Sequence, residues 1–121
     1  MSCLFRSLSF YLNGIDESGL RSQICNYLEN KPPLMDDLRI EDILKSEGGD
    51  LNLYVQSMRN EATWGGAIEI KAFCELFQVG VEVLVRQTGK YIVFHPKEAR
   101  TTPLFVRIEW LGNHFEPKPY S

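Results

Sequence analysis

Three side chains from opposite ends of the chain could together carry out acyl-transfer chemistry. Cys3 supplies a thiol, and His114 supplies an imidazole that is followed two residues later by the carboxylate of Glu116. Alternate residues of an extended chain lie on the same side, so Glu116 can orient the ring of His114. A carboxylate that holds one imidazole nitrogen leaves the other free to take a proton from a thiol. The pattern therefore predicts a cysteine nucleophile, a histidine base and an orienting glutamate.

The place of Cys3 in the chain favours a reactive thiol but leaves a simpler interpretation open. Apolar residues at helical spacing predict a first helix over residues 3–12, with Cys3 at its N-terminal end. Unpaired backbone N–H groups there stabilise a thiolate and can accept the oxyanion of a tetrahedral intermediate. In the simpler interpretation, Cys3 is an apolar residue at the start of a structural helix.

The composition is typical of one folded domain that acts away from membranes and nucleic acids. Of the 121 residues, 44% are hydrophobic and 24% are charged, which predicts a single domain over residues 1–121. A net charge of −3 with scattered basic residues offers no surface for a phosphate backbone. No apolar run reaches the roughly 20 residues of a membrane span, and the opening segment lacks the features of a secretory signal. We expect a cytoplasmic monomer that binds neither nucleic acid nor membrane.

The cysteines and histidines are too few and too widely spaced for a disulfide framework or a zinc site. Cys3, Cys25 and Cys74 are an odd number at wide intervals, which fits a reducing compartment. His95 and His114 form no HxxxH pair, and no CxxC pair occurs. We therefore expect no metal and no other cofactor. Cys25 and Cys74 fall among apolar helical residues and are predicted to be inert core thiols.

Hydrophobic periodicity predicts helices first and strands last. The predicted helices lie at residues 3–12, about 17–30, 40–44, 51–58 and 66–77, the last of them a buried central helix. Asp16 or Ser18 can cap the second helix, and Asp50 the fourth. A change of period to two predicts strands at residues 81–86, 91–94 and 104–110. This order predicts an α+β fold with a small, mostly antiparallel sheet packed against helices.

Three blocks of sequence carry a resemblance to a known family. The blocks C-L-F-R-S-L-S, A-T-W-G-G-A-I-E-I-K-A-F and E-W-L-G-N-H-F-E-P occur in this order. Together they resemble the ovarian tumour (OTU) family of cysteine proteases over nearly the whole chain. The resemblance implies an OTU-like fold and hydrolysis of the (iso)peptide bond after the C-terminal glycine of ubiquitin, polyubiquitin or a ubiquitin-like modifier.

The resemblance also implies roles for individual residues. Cys3 matches the nucleophile and His114 the general base, while Glu116 stands where the family generally has Asp or Asn. Trp64-Gly65-Gly66 matches the block that lines the substrate cleft, where glycines let another backbone come close. A structural interpretation is compatible with this, in which Trp64 covers the core beside a glycine pair that starts a helix.

The sequence departs from the family pattern just before the cysteine. The family generally has Asp-Gly-x there, and the loop holding that aspartate supplies part of the oxyanion site. Here Met1 stands in place of the glycine, and the aspartate has no counterpart. Loss of one oxyanion donor costs roughly a hundredfold to a thousandfold in rate in other enzymes. The chain is therefore either an N-terminal truncation or a form of compromised activity.

Three functions remain open at this stage. The first is a ubiquitin-directed thiol hydrolase, and the second is a catalytically impaired module of the same fold that binds ubiquitin. The third is a peptidase that acts on unrelated peptides. An acidic stretch over residues 36–50 is either a solvated face or, in a ubiquitin-directed protein, the surface that receives the arginines of the ubiquitin tail.

Overall fold

Helices fill the first part of the chain and a sheet fills the last part. The computed structural model describes residues 3–30, 33–35, 38–46, 48–97 and 104–120. The helices are α1 (Cys3–Ser9), α2 (Glu17–Glu29), α3 (Ile40–Ser46), α4 (Leu51–Met58) and α5 (Ala67–Phe77). The strands are β1 (Pro33–Met35), β2 (Leu38–Arg39), β3 (Gly80–Val85), β4 (Lys90–Phe94), β5 (Phe105–Trp110) and β6 (Phe115–Pro117). None of the helices in these ranges is long and apolar enough to cross a bilayer.

Four strands form one sheet in the order β4-β3-β5-β6. The pairings of β3 with β4 and of β5 with β6 are antiparallel, whereas β3 and β5 run parallel with Val83 opposite Ile108. The predicted α+β fold is confirmed, and the sheet is mixed because one of its pairings is parallel. The chain leaves β4 at one edge and crosses to the far side of β3 to form β5. A parallel pair needs such a crossover, since a tight turn can join antiparallel neighbours only.

The helix caps follow the short-range signals of the sequence. Asp16, rather than Ser18, caps α2, and its carboxylate accepts a hydrogen bond from the Gly19 N–H at 2.8 Å. Asp50 caps α4 and accepts from the N–H groups of Asn52 and Leu53, as predicted. Each of these aspartates satisfies backbone donors that the first helical turn leaves unpaired.

Helix α1 ends at Ser9, three residues earlier than the predicted end at Leu12. The N–H groups of Tyr11 and Leu12 donate to the carbonyls of Leu8 and Ser9, at 3.2 and 3.0 Å. These bonds span three residues and tighten the chain into a turn. Gly14 then adopts a φ of +80°, which redirects the chain toward α2.

The core lies between the helices and one face of the sheet. Helix α1 packs against α2, β5 and β6, and α5 packs against α2, β3 and β4. The buried apolar residues of this core are Leu4, Phe5, Leu8, Leu20, Ile24, Cys25, Leu28, Leu44, Leu51, Val55, Met58, Ile70, Ala72, Phe73, Cys74, Val81, Val83 and Ile108. The predicted burial of α5 is confirmed for its central residues, but its first residue, Ala67, is exposed. Helix α2 touches α1, α4 and α5 and so links the helical layer.

Three strands of the structure were not predicted from the sequence. No strand was predicted beyond residue 110, but residues 115–117 form β6 and pair with β5. The short pair β1 and β2 was also not expected. Several residues of the sequence-based interpretation lie outside the described residues, namely Met1, Asp36, Asp37, Glu47 and Pro103.

A buried arginine organises the segment between α4 and α5. Arg21 of α2 is 3% exposed, and its guanidinium donates to the carbonyls of Met58, Glu61 and Thr63 at 2.7, 3.3 and 2.9 Å. The same group lies 4.2 Å from the centre of the Phe5 ring. Burial lowers the pKa of Arg21, yet carbonyl acceptors and an aromatic face compensate for its lost hydration. One side chain therefore ties α1 and α2 to the chain that leads into residues 64–66.

We expect Arg21→Met to destabilise the fold by about 2–4 kcal/mol, because three backbone carbonyls would lose a charged donor. Urea unfolding followed by circular dichroism measures this change. The matched control is Arg59→Met, since Arg59 makes an exposed ion pair with Glu29 at 2.7 Å. Loss of that exposed pair should cost no more than about 1 kcal/mol. Equal effects of the two substitutions would contradict the role given to Arg21.

Candidate active site

Cys3 is the first residue of α1 and is partly exposed. Its carbonyl accepts a hydrogen bond from Ser7 Oγ at 2.7 Å, one turn along the helix. The same helix buries Leu4, Phe5 and Leu8 and packs against β6. Strand β6 begins directly after His114. The thiol and the imidazole are therefore carried by elements that pack against each other.

A tight hairpin presents His114 at the start of β6. Trp110 and Phe115 are paired across it, and the Leu111 N–H donates to the His114 carbonyl at 2.9 Å. Gly112 has a φ of +98°, a backbone conformation that residues with a Cβ rarely adopt. Asn113 is exposed in this turn.

His114 and Glu116 lie side by side, as the alternation along an extended chain predicted. The distance from His114 Nε2 to Glu116 Oε1 is 3.5 Å, and the side chains are 43% and 50% exposed. The longer glutamate side chain therefore reaches the ring from the position where the family generally has Asp or Asn. Its catalytic role stays a prediction.

A second ion pair lies beside this contact, and sequence reasoning missed it. Glu109 of β5 is 5% exposed and stands directly opposite Glu116 of β6. Arg86 binds both oxygens of Glu109, with Nε and Nη2 each at 3.1 Å. The hydrogen bonds from Arg86 lower the pKa of Glu109, and Glu109 in turn raises the pKa of Arg86. Arg86 directly follows β3 and Glu109 belongs to β5, so only the parallel pairing of these strands brings the two side chains together.

Trp64, Gly65 and Gly66 line a cleft of about 450 Å³. The other lining residues are Tyr54, Ser57, Met58, Thr63, Ala67, Ile68 and Glu69. Trp64 is 55% exposed and so stands at the rim of this cleft. Binding of a substrate here stays a prediction.

The two glycines of this segment have different surroundings. A Cβ on Gly65 would lie 2.8 Å from Leu4 Cδ2 and 3.1 Å from Phe5 Cε2, so the close approach at Gly65 is made by α1. A Cβ on Gly66 would meet nothing within 4 Å. Gly65 is therefore explained by packing next to Cys3, and the space that an incoming backbone could use lies at Gly66.

A buried carboxyl group forms one wall of the cleft. Glu69 is 1% exposed, accepts a hydrogen bond from the Gly66 N–H at 2.7 Å, and accepts another from the Tyr54 hydroxyl. Burial raises the pKa of Glu69. The sequence predicted an apolar helix for this segment, and Glu69 was not among the candidate residues. The spacing of a cap residue and a glutamate three residues later, typical of a capping box, could have revealed it.

The other two cysteines are core residues, as predicted. Cys25 and Cys74 are both fully buried, and burial raises the pKa of each thiol, that of Cys74 to about 12. Cys3 differs from them in being partly exposed. Among the residues that the structure describes, no group of three His, Cys, Asp or Glu side chains could hold a metal ion.

Comparison with known families decides the family of the chain. The family model described as OTU-like cysteine protease matches residues 2–112. The chain belongs to this family. The match contains Cys3 and the Trp64-Gly65-Gly66 segment of the OTU domain and ends two residues before His114. The roles predicted for His114 and Glu116 therefore depend on the hairpin geometry and on the E-W-L-G-N-H-F-E-P block.

Individual relatives of this OTU domain are distant in sequence and similar in fold. Deubiquitinase OTUD6B of Xenopus tropicalis is 22% identical over 123 residues, which are 93% of this chain and 41% of that protein. The structure of an OTU domain in complex with ubiquitin has a TM-score of 0.76 at 21% identity, covering 96% of this chain and 62% of that one. An OTU deubiquitinase from Wolbachia pipientis wMel bound to ubiquitin has a TM-score of 0.66 at 17% identity, with 96% and 88% covered. The chain spans less than half the length of the frog protein, and these structures establish its fold.

Gly65 and Gly66 of the OTU domain should respond differently to substitution. Gly65→Ala places a methyl group against Leu4 and Phe5, and we expect it to destabilise the fold by about 1–3 kcal/mol. Gly66→Ala meets open space and changes only a helix cap, so it should cost less than about 1 kcal/mol. Chemical unfolding of both variants measures the difference. A larger loss for Gly66→Ala would contradict the packing described at Gly65.

Glu69 should give the OTU domain a specific pH dependence. Its pKa is raised above the ordinary value of 4.5, so the folded state holds the proton more tightly than the unfolded chain. The stability that this provides is complete at low pH and is lost as the pH rises from about 4.5 through the raised pKa. Glu69→Gln stays neutral, and its amide can still accept from Gly66.

We expect the stability of Glu69→Gln relative to the wild type to increase across that same pH range. Urea unfolding of both proteins at a series of pH values provides the measurement. A difference between them that stays constant with pH would show that Glu69 has the same pKa in the folded and unfolded states.

Proposed function

We propose that this OTU domain is a thiol-dependent deubiquitinase that hydrolyses the (iso)peptide bond after the C-terminal glycine of ubiquitin or a ubiquitin-like modifier. Membership of the OTU-like cysteine protease family supports the reaction type. The named relatives include a deubiquitinase and OTU domains bound to ubiquitin, which supports the choice of substrate.

One observation carries this proposal. The helix that begins with Cys3 packs against the strand that follows His114, and His114 contacts Glu116 at 3.5 Å. Residues from the two ends of the chain thus provide the thiol, the base and the carboxylate that a cysteine hydrolase needs. Cys25 and Cys74 are fully buried, so Cys3 is the thiol with access to a substrate.

The first half of the proposed reaction forms a thioester. Glu116 engages Nε2 of His114, so the proton of the Cys3 thiol passes to Nδ1. The thiolate attacks the carbonyl carbon of the terminal glycine and forms a tetrahedral oxyanion, which N–H groups at the start of α1 can stabilise. The intermediate collapses, the C–N bond breaks, and the departing amine takes the proton from His114.

The second half releases the modifier. His114 takes a proton from water, and the resulting hydroxide attacks the thioester carbonyl. The C–S bond breaks, and His114 returns its proton to the sulfur of Cys3. Ubiquitin leaves with a C-terminal carboxyl group, which releases the second proton of the water to solvent and becomes a carboxylate. Each group is then in its starting state.

We assign the cleft beside Trp64 to the extended tail of the substrate. Gly65 lies against the two residues that follow Cys3, so this cleft adjoins the helix that carries the nucleophile. The free space at Gly66 suits a backbone that ends in two glycines. Trp64 at the rim offers an aromatic face to the chain that enters.

A catalytically impaired ubiquitin-binding module is the second candidate. It is favoured by Met1, which stands two residues before Cys3 in place of the glycine of the family pattern. The cleft and the fold would then serve binding alone. For either candidate, we propose that the chain acts in the cytoplasm as a monomer. If the chain is part of a longer protein, we propose that this domain carries the activity toward ubiquitin.

A ubiquitin derivative with a thiol-reactive electrophile at its C-terminus separates the two candidates. For a hydrolase we expect one covalent adduct on Cys3, located by peptide mass spectrometry, with Cys25 and Cys74 unlabelled. His114→Ala should slow the labelling about 10²–10⁴-fold, because the base that generates the thiolate is lost. Cys3→Ala should form no adduct and still bind ubiquitin.

Affinity for ubiquitin without any adduct on Cys3 would overturn the hydrolase and support the binding module. Cleavage of short unrelated peptides with no preference for ubiquitin would overturn both. The control for the chemistry is Arg59→Gln, an exposed position at the end of α4, which should be labelled at the wild-type rate.

A further inference from the structure

Two carboxylates face each other across the strands beside His114. Glu109 of β5 and Glu116 of β6 are direct partners in the antiparallel register, so both side chains project from the same face of the sheet. Like charges at directly opposite positions destabilise a strand pair. Glu109 is 5% exposed and the side chain of Glu116 is 50% exposed, so water screens the charge of Glu116 better than that of Glu109. A compensating positive charge is therefore needed at this place.

Arg86 provides that charge in a fixed geometry. Its guanidinium binds both carboxylate oxygens of Glu109, at 3.1 Å each. Its backbone N–H donates to the carbonyl of Trp110 at 3.1 Å, which anchors Arg86 to the strand that leads into the His114 hairpin. The charge of Glu116 also raises the pKa of Arg86, after the larger effect of Glu109. The positive charge of Arg86 therefore interacts with both carboxylates.

We propose that Arg86 and Glu109 are positioning residues for His114, in that Arg86 neutralises the carboxylate opposite Glu116 and leaves Glu116 to hold the imidazole. This inference deepens the proposed function and depends on it for its catalytic meaning. Without Arg86, Glu109 would be a second negative charge competing for the proton of His114. Without Glu109, Arg86 would be free to bind Glu116 and withdraw it from the ring.

An ordinary surface ion pair would not have these properties. The pair of Arg59 and Glu29 is a fair comparison, since its side chains are 37% and 58% exposed. In the pair of Arg86 and Glu109 the carboxylate side is only 7% exposed, and both oxygens are engaged. Bidentate arginine contacts to a covered carboxylate fix direction as well as charge.

Other ionisable groups lie on the described elements that pack around the hairpin. Helix α1, which packs against β6, carries Cys3 and Arg6, and Arg6 pairs with Glu17 at 3.6 Å. On the sheet, Lys118 follows β6 and its charge acts on Glu109. Arg107 of β5 is a further charged group, and its guanidinium carbon lies 4.3 Å from the ring centre of Tyr120. Apart from Cys3, which is replaced by alanine in the titrations, these groups are the same in every variant below.

The test is an NMR titration of the His114 ring in the full chain. It uses a Cys3→Ala background, so that no thiol titrates beside the imidazole. Arg86→Gln leaves Glu109 uncompensated, and we expect the pKa of His114 to rise by about half a unit. Glu109→Gln leaves Arg86 uncompensated, and the pKa should fall by about the same amount. In the double variant both charges are absent, and the pKa should return to its starting value.

Opposite shifts that cancel in the double variant support the proposal. Unchanged values, shifts of the same sign, or a double variant that does not return would each overturn it, because a purely structural pair has no reason to give signed and cancelling effects. Arg59→Gln, which breaks an exposed pair elsewhere, should leave the titration unchanged. His95, the second histidine, serves as an internal reference in every sample.

Activity gives a second, independent measurement. With Cys3 intact, the acidic limb of the kcat/KM profile for a ubiquitin substrate should move in the same direction as the His114 titration in each variant. If the titrations behave as expected but Cys3 never reacts with the ubiquitin electrophile, the proposed function fails and the electrostatic role stands. If Cys3 reacts but the titrations do not shift, the role of Arg86 and Glu109 fails alone.

Discussion

The contact of α1 with β6 is the constraint on which the rest of the candidate site depends. Helix α1 has seven residues, and helices that short are not stable in isolation. It exists because Leu4, Phe5 and Leu8 are buried against the rest of the fold. The position of Cys3 is therefore a product of tertiary packing. The same packing closes the chain on itself, since β6 belongs to its last residues.

Two buried charges extend this constraint to the cleft. Arg21 holds three carbonyls in the segment after α4 and lies over the ring of Phe5, so it joins the cleft wall to α1. Glu69 holds the N–H of Gly66 at the start of α5. Both groups are almost fully buried, and each has hydrogen-bond partners that replace water. The segment from Met58 to Gly66, which contains Trp64, is thus held near one end by Arg21 and at the other by Glu69, through polar contacts in an otherwise apolar core.

What the sequence could predict and what it could not follows from the range of the interactions. The caps Asp16 and Asp50 depend on residues within three positions, and both lay among the predicted caps. The contact of His114 with Glu116 depends on alternation along one strand and was predicted for the same reason. The order of the strands depends on long-range pairing, because β5 lies beside β3 and not beside β4, and no local pattern encodes this. The pair of Arg86 and Glu109 was missed with it, because these residues meet only once β3 and β5 are parallel neighbours.

The presence of glutamate at position 116 explains why an ion pair beside it would be needed in the proposed arrangement. A glutamate has one more rotatable bond than the Asp or Asn that the family generally has at this place, so more conformational freedom must be lost when it holds an imidazole. Glu116 is half exposed, and burial alone does not restrict it. Glu109 lies directly opposite Glu116, and Arg86 binds both oxygens of Glu109. In the proposed arrangement Arg86 neutralises Glu109, so that Glu109 does not compete with Glu116 for the imidazole. The proposed role of Glu116 as the orienting carboxylate thus depends on the ion pair in the strand beside it, because that pair leaves no free carboxylate opposite the longer side chain.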